Sequence, residues 1–171
     1  KMADRPFYTC AEIAALTNAT LVGDGERSIS NLLTDSRRLI FPSKTLFFAL
    51  QTASNDGHRF IAELYAKGVR AFAVQPSFSR TNFPEATFLV ADNVLAVLQK
   101  LAQKHRESFT YPVVGIAGSN GKTVVKEWLF QFLSEHKRVV RSPRSYNSQI
   151  GVPLSLWQMG AQHEVALIEA G

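Results

Sequence analysis

The chain has 171 residues, 46% hydrophobic and 19% charged, which allows one large or two small domains, excludes wholesale disorder and leaves no apolar run near the roughly 18 residues that cross a bilayer. Its 19 Lys and Arg against 14 Asp and Glu give a net charge of +5, a balance that suits an anionic small molecule or a solvated basic surface. The densest basic stretch, Lys137, Arg138, Arg141 and Arg144, lacks the interleaved aromatics that stack bases, so nucleic acid is not expected as a partner. The first residues, KMADRPFY, carry no apolar targeting core. A single cysteine, Cys10, cannot close an internal disulfide. A cytoplasmic protein without membrane insertion is expected.

In chain order, Thr9 and Glu12 have the spacing of a capping box, and a short helix is expected over 11–16. Gly23-Asp24-Gly25 reads as a turn between short extended segments. The compact apolar run at 45–50 reads as a buried strand. Helical spacing over 58–67 stops at Gly68, a residue suited to ending a helix. Strands are expected at 69–74 and 87–90. Asp92 is then placed to cap a helix whose apolar stripe is Val94, Leu95, Val97, Leu98, Leu101 and Ala102.

A second unit begins near Tyr111. A buried strand at 112–117 runs through a glycine-rich turn into a helix at 123–134. A strand at 137–141, a short helix at 152–159 and a strand at 164–168 follow. Alternating strands and helices with short connections define an α/β class with a parallel sheet. Three parallel strands rarely form a sheet covered on both faces, so further chain is expected to complete this one. No internal repeat or low-complexity segment is visible.

The sharpest feature is Gly115-Ile116-Ala117-Gly118-Ser119-Asn120-Gly121-Lys122-Thr123, set between a strand and a helix as a phosphate loop requires. Glycines let the backbone fold tightly and aim several N–H groups at one anion. The helix N-terminus adds partial positive charge. Lys122 supplies a mobile cation for the outer phosphates, and the Thr123 hydroxyl suits Mg²⁺. The generic pattern G-x-x-x-x-G-K-[ST] needs Gly at position 116, where this chain has Ile116. Glu169 ends the last strand, so its carboxylate emerges at the sheet edge that carries the loop, where α/β folds place ligands. It is a candidate metal ligand, with an exposed strand-end acid as the alternative.

The variant loop GIAGSNGKT resembles the ATP loop of the Mur ligases and their folylpolyglutamate synthetase relatives, with Ser119 in place of the usual Thr. Three further segments resemble the same family in the same order. These are Thr34-Asp35-Ser36-Arg37 with the following strand, Leu46 to Leu50; Asp56-Gly57-His58-Arg59-Phe60; and Tyr146-Asn147-Ser148-Gln149-Ile150-Gly151-Val152-Pro153-Leu154. The last is similar to the branch that joins D-alanyl-D-alanine to UDP-N-acetylmuramoyl-tripeptide. Its wording is nearest to a subgroup fused to an alanine racemase, whose pyridoxal phosphate would lie outside this chain.

The resemblance implies a UDP-sugar-binding domain over 1–109 and the opening of an ATP-binding domain over 110–171, with the remaining domains elsewhere. It implies ATP-dependent amide formation through an acyl phosphate, an activity the segment alone is expected to lack. Lys122 would be the catalytic cation. Gly118, Ser119, Asn120, Gly121, Lys122 and Thr123 would bind ATP. Thr123 and Glu169 would hold Mg²⁺, and Ser36, Arg37 and Asn147 would contact substrate. Each substrate residue has a plainer role available: Asp35 can satisfy Arg37, and Asn147 can be a turn residue. Asp56 can equally cap the helix after it, and His58 can be a structural hydrogen bonder. A non-catalytic nucleotide or UDP-sugar module and a folylpolyglutamate-type ligase are the alternatives. The Thr34–Arg37 motif argues against the second, because such enzymes need no UDP pocket.

Overall fold

The computed structural model describes residues 8–171; residues 1–7 of the segment inspected for a targeting core lie outside them. The described residues divide into two compact units, the first ending at Lys100 and the second running Leu101–Gly171.

The first unit opens with β1 (Tyr8–Thr9) and α1 (Cys10–Thr17). The Thr9 hydroxyl accepts from Glu12 N at 3.2 Å and the Glu12 carboxylate accepts from Thr9 N at 2.7 Å, so the capping box forms. Next come β2 (Thr20–Val22), β3 (Ser28–Ile29), β4 (Asn31–Leu33), β5 (Thr45–Phe48), α2 (Ile61–Ala66), β6 (Ala71–Val74), β7 (Thr87–Val90) and α3 (Val94–Glu107). The division between units falls inside α3. A five-stranded sheet has the order β2-β7-β6-β5-β4. Its strands β4 to β7 are parallel and β2 is antiparallel to β7. β1 and β3 form a separate antiparallel pair.

The core of this unit stacks Phe47, Phe72 and Phe88 from three neighbouring strands on Ile61 and Leu64 of α2. Phe72 lies 5.9 Å from Phe88 and 6.4 Å from Phe47, centroid to centroid. Each buried ring is worth about 1.5–3 kcal/mol over its exposed state. Cys10 is buried, and that burial pushes its thiol up to about 11.

Two sequence expectations shift. The helix expected from position 58 starts as a 3₁₀ turn, Gly57–Phe60, capped by Asp56 through His58 N at 3.0 Å, before α2 begins. α3 is capped by Asn93, whose side chain accepts from Ala96 N at 3.0 Å, rather than by Asp92 one residue earlier. The stop at Gly68 holds: its φ is +99°, a conformation that favours glycine.

The second unit contains β8 (Val113–Ile116), α4 (Lys122–Ser134), β9 (Val139–Arg141), α5 (Gly151–Leu156) and β10 (Val165–Glu169). Its sheet is parallel with order β8-β10-β9, so β10 is central and wholly buried. Val140, Met159, Ala166 and Ile168 form its core. Within these residues β8, expected as a buried strand, lies at the sheet edge with Val114 and Gly115 exposed, on a sheet that further chain is expected to complete. α4 likewise exposes Val124, Val125, Trp128 and Phe132, whereas Trp157 is buried 4.8 Å from the His105 ring. His105 Nε2 donates to the Met159 carbonyl at 2.8 Å, and burial pushes its pKa down. Two residues of the basic stretch have acidic partners nearby. Arg138 meets Glu164, and Arg141 pairs with Glu127 at 3.1 Å while lying 3.4 Å over the Phe130 ring. No described helix is long and apolar enough to cross a membrane.

Gly57 sits against the end of β5, where a Cβ would come within 2.8 Å of Leu50 N and 2.9 Å of Leu50 O. Those are backbone atoms, so the turn carrying His58 must shift. Gly57→Ala should lower stability by about 1–3 kcal/mol in denaturant unfolding; an unchanged midpoint contradicts this packing.

Candidate functional site

The second unit places its chemistry where β8 turns into α4. Gly118 has φ +148° and Gly121 has φ +78°. No neighbouring atom crowds Gly121, so glycine is required there by backbone conformation rather than by space. Residues 118–121 are exposed, and Gly121 caps α4 without any side-chain acceptor. The first N–H groups of α4 therefore have no side-chain cap and carry the helix's partial positive charge. That is an anion site in its elementary form. Lys122 Nζ donates to the Gly118 carbonyl at 2.5 Å across the loop, which puts the ammonium at its mouth.

Beside the loop, Glu169 at the end of β10 is 1% exposed. Oε1 accepts from Thr123 Oγ1 at 3.0 Å and from Asn147 Nδ2 at 3.4 Å, and Oε2 accepts from Lys126 Nζ at 3.0 Å. Glu169 N donates to the buried Ser142 hydroxyl at 2.9 Å. Burial works against the ionised carboxylate. The Lys126 hydrogen bond, the Thr123 hydroxyl, the Lys126 charge and the Asn147 amide outweigh it and hold the pKa below the usual carboxylate range. The alternative of an exposed strand-end acid is thereby excluded. Thr123, Asn147 and Glu169, separated in sequence, converge on one point.

Lys126 was not singled out from the sequence, yet it is α4's buried residue, 0% exposed. One signal was available. Lys126 follows Lys122 by four positions, so the two share a helix face.

In the first unit, the parallel strands β4 to β7 end at one sheet edge, where the chain places Ser36, Arg37, Asp56, His58 and Gln75. Asp35 Oδ1 accepts from Arg37 N at 3.1 Å and Nε at 2.9 Å, and Oδ2 accepts from Nη2 at 2.8 Å. The turn thus satisfies itself, and the Arg37 side chain is presented outward, 87% exposed. His58 is fixed on both ring nitrogens. Nε2 accepts from Gln75 N at 3.1 Å, so Nδ1 carries the proton donated to Asp56 at 2.7 Å. A cavity of about 530 Å³ opens here, lined by Gln51, Asp56, His58, Gln75, Ser77 and Phe78 among others; Ser36 and Arg37 are not in its lining.

An edge strand, an uncapped helix behind a glycine loop and a buried carboxylate on the neighbouring strand have the arrangement seen in the phosphate-binding half of nucleotide-binding α/β units. Comparison with known proteins narrows this. Residues 116–171 match the Mur ligase middle domain. Over 141 residues, 82% of this chain, the sequence is 37% identical to the UDP-N-acetylmuramoyl-tripeptide–D-alanyl-D-alanine ligase of Synechocystis, of which it spans 30%. The fold superposes on a UDP-N-acetylmuramoylalanyl-D-glutamyl-2,6-diaminopimelate–D-alanyl-D-alanyl ligase from Acinetobacter baumannii with a TM-score of 0.87 and 26% identity, covering 100% of this chain and 38% of that one. A MurF ligase from Thermotoga maritima, solved in complex with ADP, is 27% identical with a TM-score of 0.68 over 81% of this chain and 31% of its own. The second unit thus belongs to the Mur ligase family, and the similarity to Mur ligases runs along the length of the chain. The chain spans about a third of the length of the curated relatives it matches.

Glu169→Gln leaves Lys126 as a buried cation without its counter-charge and should cost about 3–5 kcal/mol. The double change Lys126→Met with Glu169→Gln should recover most of that loss. The folded pKa of Glu169 is depressed, so the pair's contribution is complete above the unfolded carboxyl value and is lost as pH falls through the folded value. Melting temperature should therefore fall more steeply in acid for the wild type than for the double variant. Parallel curves would contradict the pairing.

Proposed function

We propose that this chain is the UDP-sugar-binding and phosphate-binding part of an ATP-dependent ligase that joins D-alanyl-D-alanine to UDP-N-acetylmuramoyl-tripeptide in peptidoglycan precursor synthesis. The observation that carries the reading is the convergence of Thr123, Asn147 and Glu169 beside the glycine loop. The relatives named for this reaction support it. Residues 1–109 serve the UDP-sugar, with Ser36 and Arg37 as contacts, and 110–171 open the ATP domain. The cytoplasm, where the nucleotide substrates are, is the expected place of work.

The γ-phosphoryl group of ATP passes to the tripeptide's terminal carboxylate, giving an acyl phosphate and ADP. The amine of D-alanyl-D-alanine attacks the acyl carbon, and phosphate leaves to yield the amide. Gly118 to Gly121 hold the phosphates through backbone N–H groups, with the side chains of Ser119 and Asn120 on the same exposed loop. Lys122 supplies the charge that follows the transferring group. Asn147 orients substrate beside the phosphates.

The residues present fit a magnesium ion. Thr123 and Glu169 offer only oxygen, 3.0 Å apart, and the carboxylate is held ionised. No group of three or more His, Cys, Asp or Glu among the described residues is placed to hold a metal, so oxygens of the nucleotide and of water would be needed beside these two residues. Thr123 and Glu169 would hold the ion, and the chemistry it supplies when bound is neutralisation of phosphate charge.

In the full-length protein, Lys122→Ala should lower turnover about 10²–10³-fold, or roughly 2.7–4 kcal/mol, while raising the ATP KM far less. Lys122→Arg should rescue poorly, because a planar fork does not replace a compact ammonium. Near wild-type turnover in either variant at saturating ATP and Mg²⁺ contradicts the assignment. Arg37→Ala should weaken UDP-N-acetylmuramoyl-tripeptide binding by about 1.5–3 kcal/mol in calorimetry; unchanged affinity removes Arg37 from the substrate site.

A further inference from the structure

Lys126 has no part in the reaction outlined above, yet it is the most constrained cation among the described residues. Its side chain is 0% exposed. Nζ donates to Glu169 Oε2 at 3.0 Å and to the Arg144 carbonyl, and lies 3.6 Å from Glu127 Oε1. Two of the three ammonium protons thus have hydrogen-bond acceptors, and a second carboxylate lies just beyond bonding distance. The Arg144 carbonyl belongs to a residue with φ +49°, a costly conformation for a side-chain-bearing residue, and Lys126 ties that turn to α4. The same segment carries Ser142 and Asn147, both bonded to Glu169.

This divides the carboxylate. Oε1 is turned to Thr123 and Asn147, on the side of the phosphate loop, while Oε2 is occupied by an ammonium that cannot leave without becoming an unpaired buried charge. A carboxylate held this way can offer a cation one oxygen and not two. Magnesium accepts single carboxylate oxygens in a tight octahedron, whereas calcium is larger and often takes both.

We propose that Lys126 is a positioning residue that sets cation specificity: by holding Oε2 of Glu169 it restricts the carboxylate to one-oxygen ligation and so favours Mg²⁺ over Ca²⁺ at the nucleotide site. The proposal rests on the nucleotide-binding reading above. Loss of the Lys126 charge changes the field felt by both divalent cations alike, so it is the ratio of their affinities, not either affinity alone, that reports on the geometry.

The test uses the full-length protein with a non-hydrolysable ATP analogue. Mg²⁺ and Ca²⁺ dissociation constants are measured by calorimetry for the wild type, Lys126→Met and Lys126→Gln. Either variant suffices once its circular dichroism matches the wild type, and Glu127→Gln serves as the control that leaves the Lys126–Glu169 contact in place. Preference for Mg²⁺ over Ca²⁺ should fall by about fivefold or more in the Lys126 variants, with metal-free nucleotide affinity within about twofold of wild type and Glu127→Gln unchanged. If both cations shift in step and the ratio is kept, Lys126 is only a structural ion-pair partner and the proposal is overturned. A folded wild type that binds no nucleotide at all overturns the underlying reading instead, an outcome distinct because no ratio can then be formed.

Discussion

Glu169 and Lys126 face each other 3.0 Å apart, 1% and 0% exposed at their side chains, and the second unit is organised around that contact. Taking two charges out of water costs several kcal/mol per ion, and a pair recovers this only with good geometry and full hydrogen bonding. The carboxylate meets both, receiving Thr123, Asn147 and Lys126, while the ammonium donates to Glu169 and the Arg144 carbonyl with the Glu127 carboxylate 3.6 Å away. Four chain segments are fixed relative to one another as a result: the first turns of α4, the end of β10, the loop carrying Arg144 and Asn147, and Ser142 after β9. The glycine loop inherits its position from that frame, because it is the five-residue link between β8 and the helix that Lys126 anchors.

The first unit reaches a comparable end with a half-exposed carboxylate in place of a buried ion pair. Its parallel strands deliver polar residues to one sheet edge, and His58 joins the segments after β5 and β6 by bonding Asp56 through one ring nitrogen and Gln75 N through the other. The buried Phe47, Phe72 and Phe88 beneath hold the strands in register. In both units, rigid parallel strands end where exposed polar groups begin, the arrangement that lets an α/β fold vary its chemistry without disturbing its core.

Much of this was legible in the sequence for identifiable reasons. The glycine loop could be read because left-handed backbone at Gly118 and Gly121 demands glycine, and because Lys122 and Thr123 follow at fixed offsets. Glu169 was found by topology: a residue ending a parallel strand lies at the edge that carries the loop. Lys126 escaped because hydrophobic periodicity assigns the inward face of a helix to apolar residues. In α4 the lysine takes a place on that inward face, beside the half-buried Leu129, Phe130 and Leu133. No local rule signals this, since Lys126 owes its burial to a carboxylate 43 residues away. Asp92 and Asn93 show the ordinary limit, where adjacent residues can both cap and only the backbone path selects Asn93. The 3₁₀ start before α2 has a similar origin, as the Asp56 cap and the close approach of Gly57 to Leu50 set the first turn before helical spacing takes over.

A crystal structure of the full-length protein with Mg²⁺ and a non-hydrolysable ATP analogue tests the central claim most directly. The account predicts phosphates seated on the backbone N–H groups of 118–123, Lys122 Nζ transferred from the Gly118 carbonyl to phosphate oxygen, and a Glu169 carboxylate that presents Oε1 to the metal side while Oε2 stays on Lys126. Phosphates bound away from the loop, or a Glu169 that releases Lys126 to grip the cation with both oxygens, would contradict it.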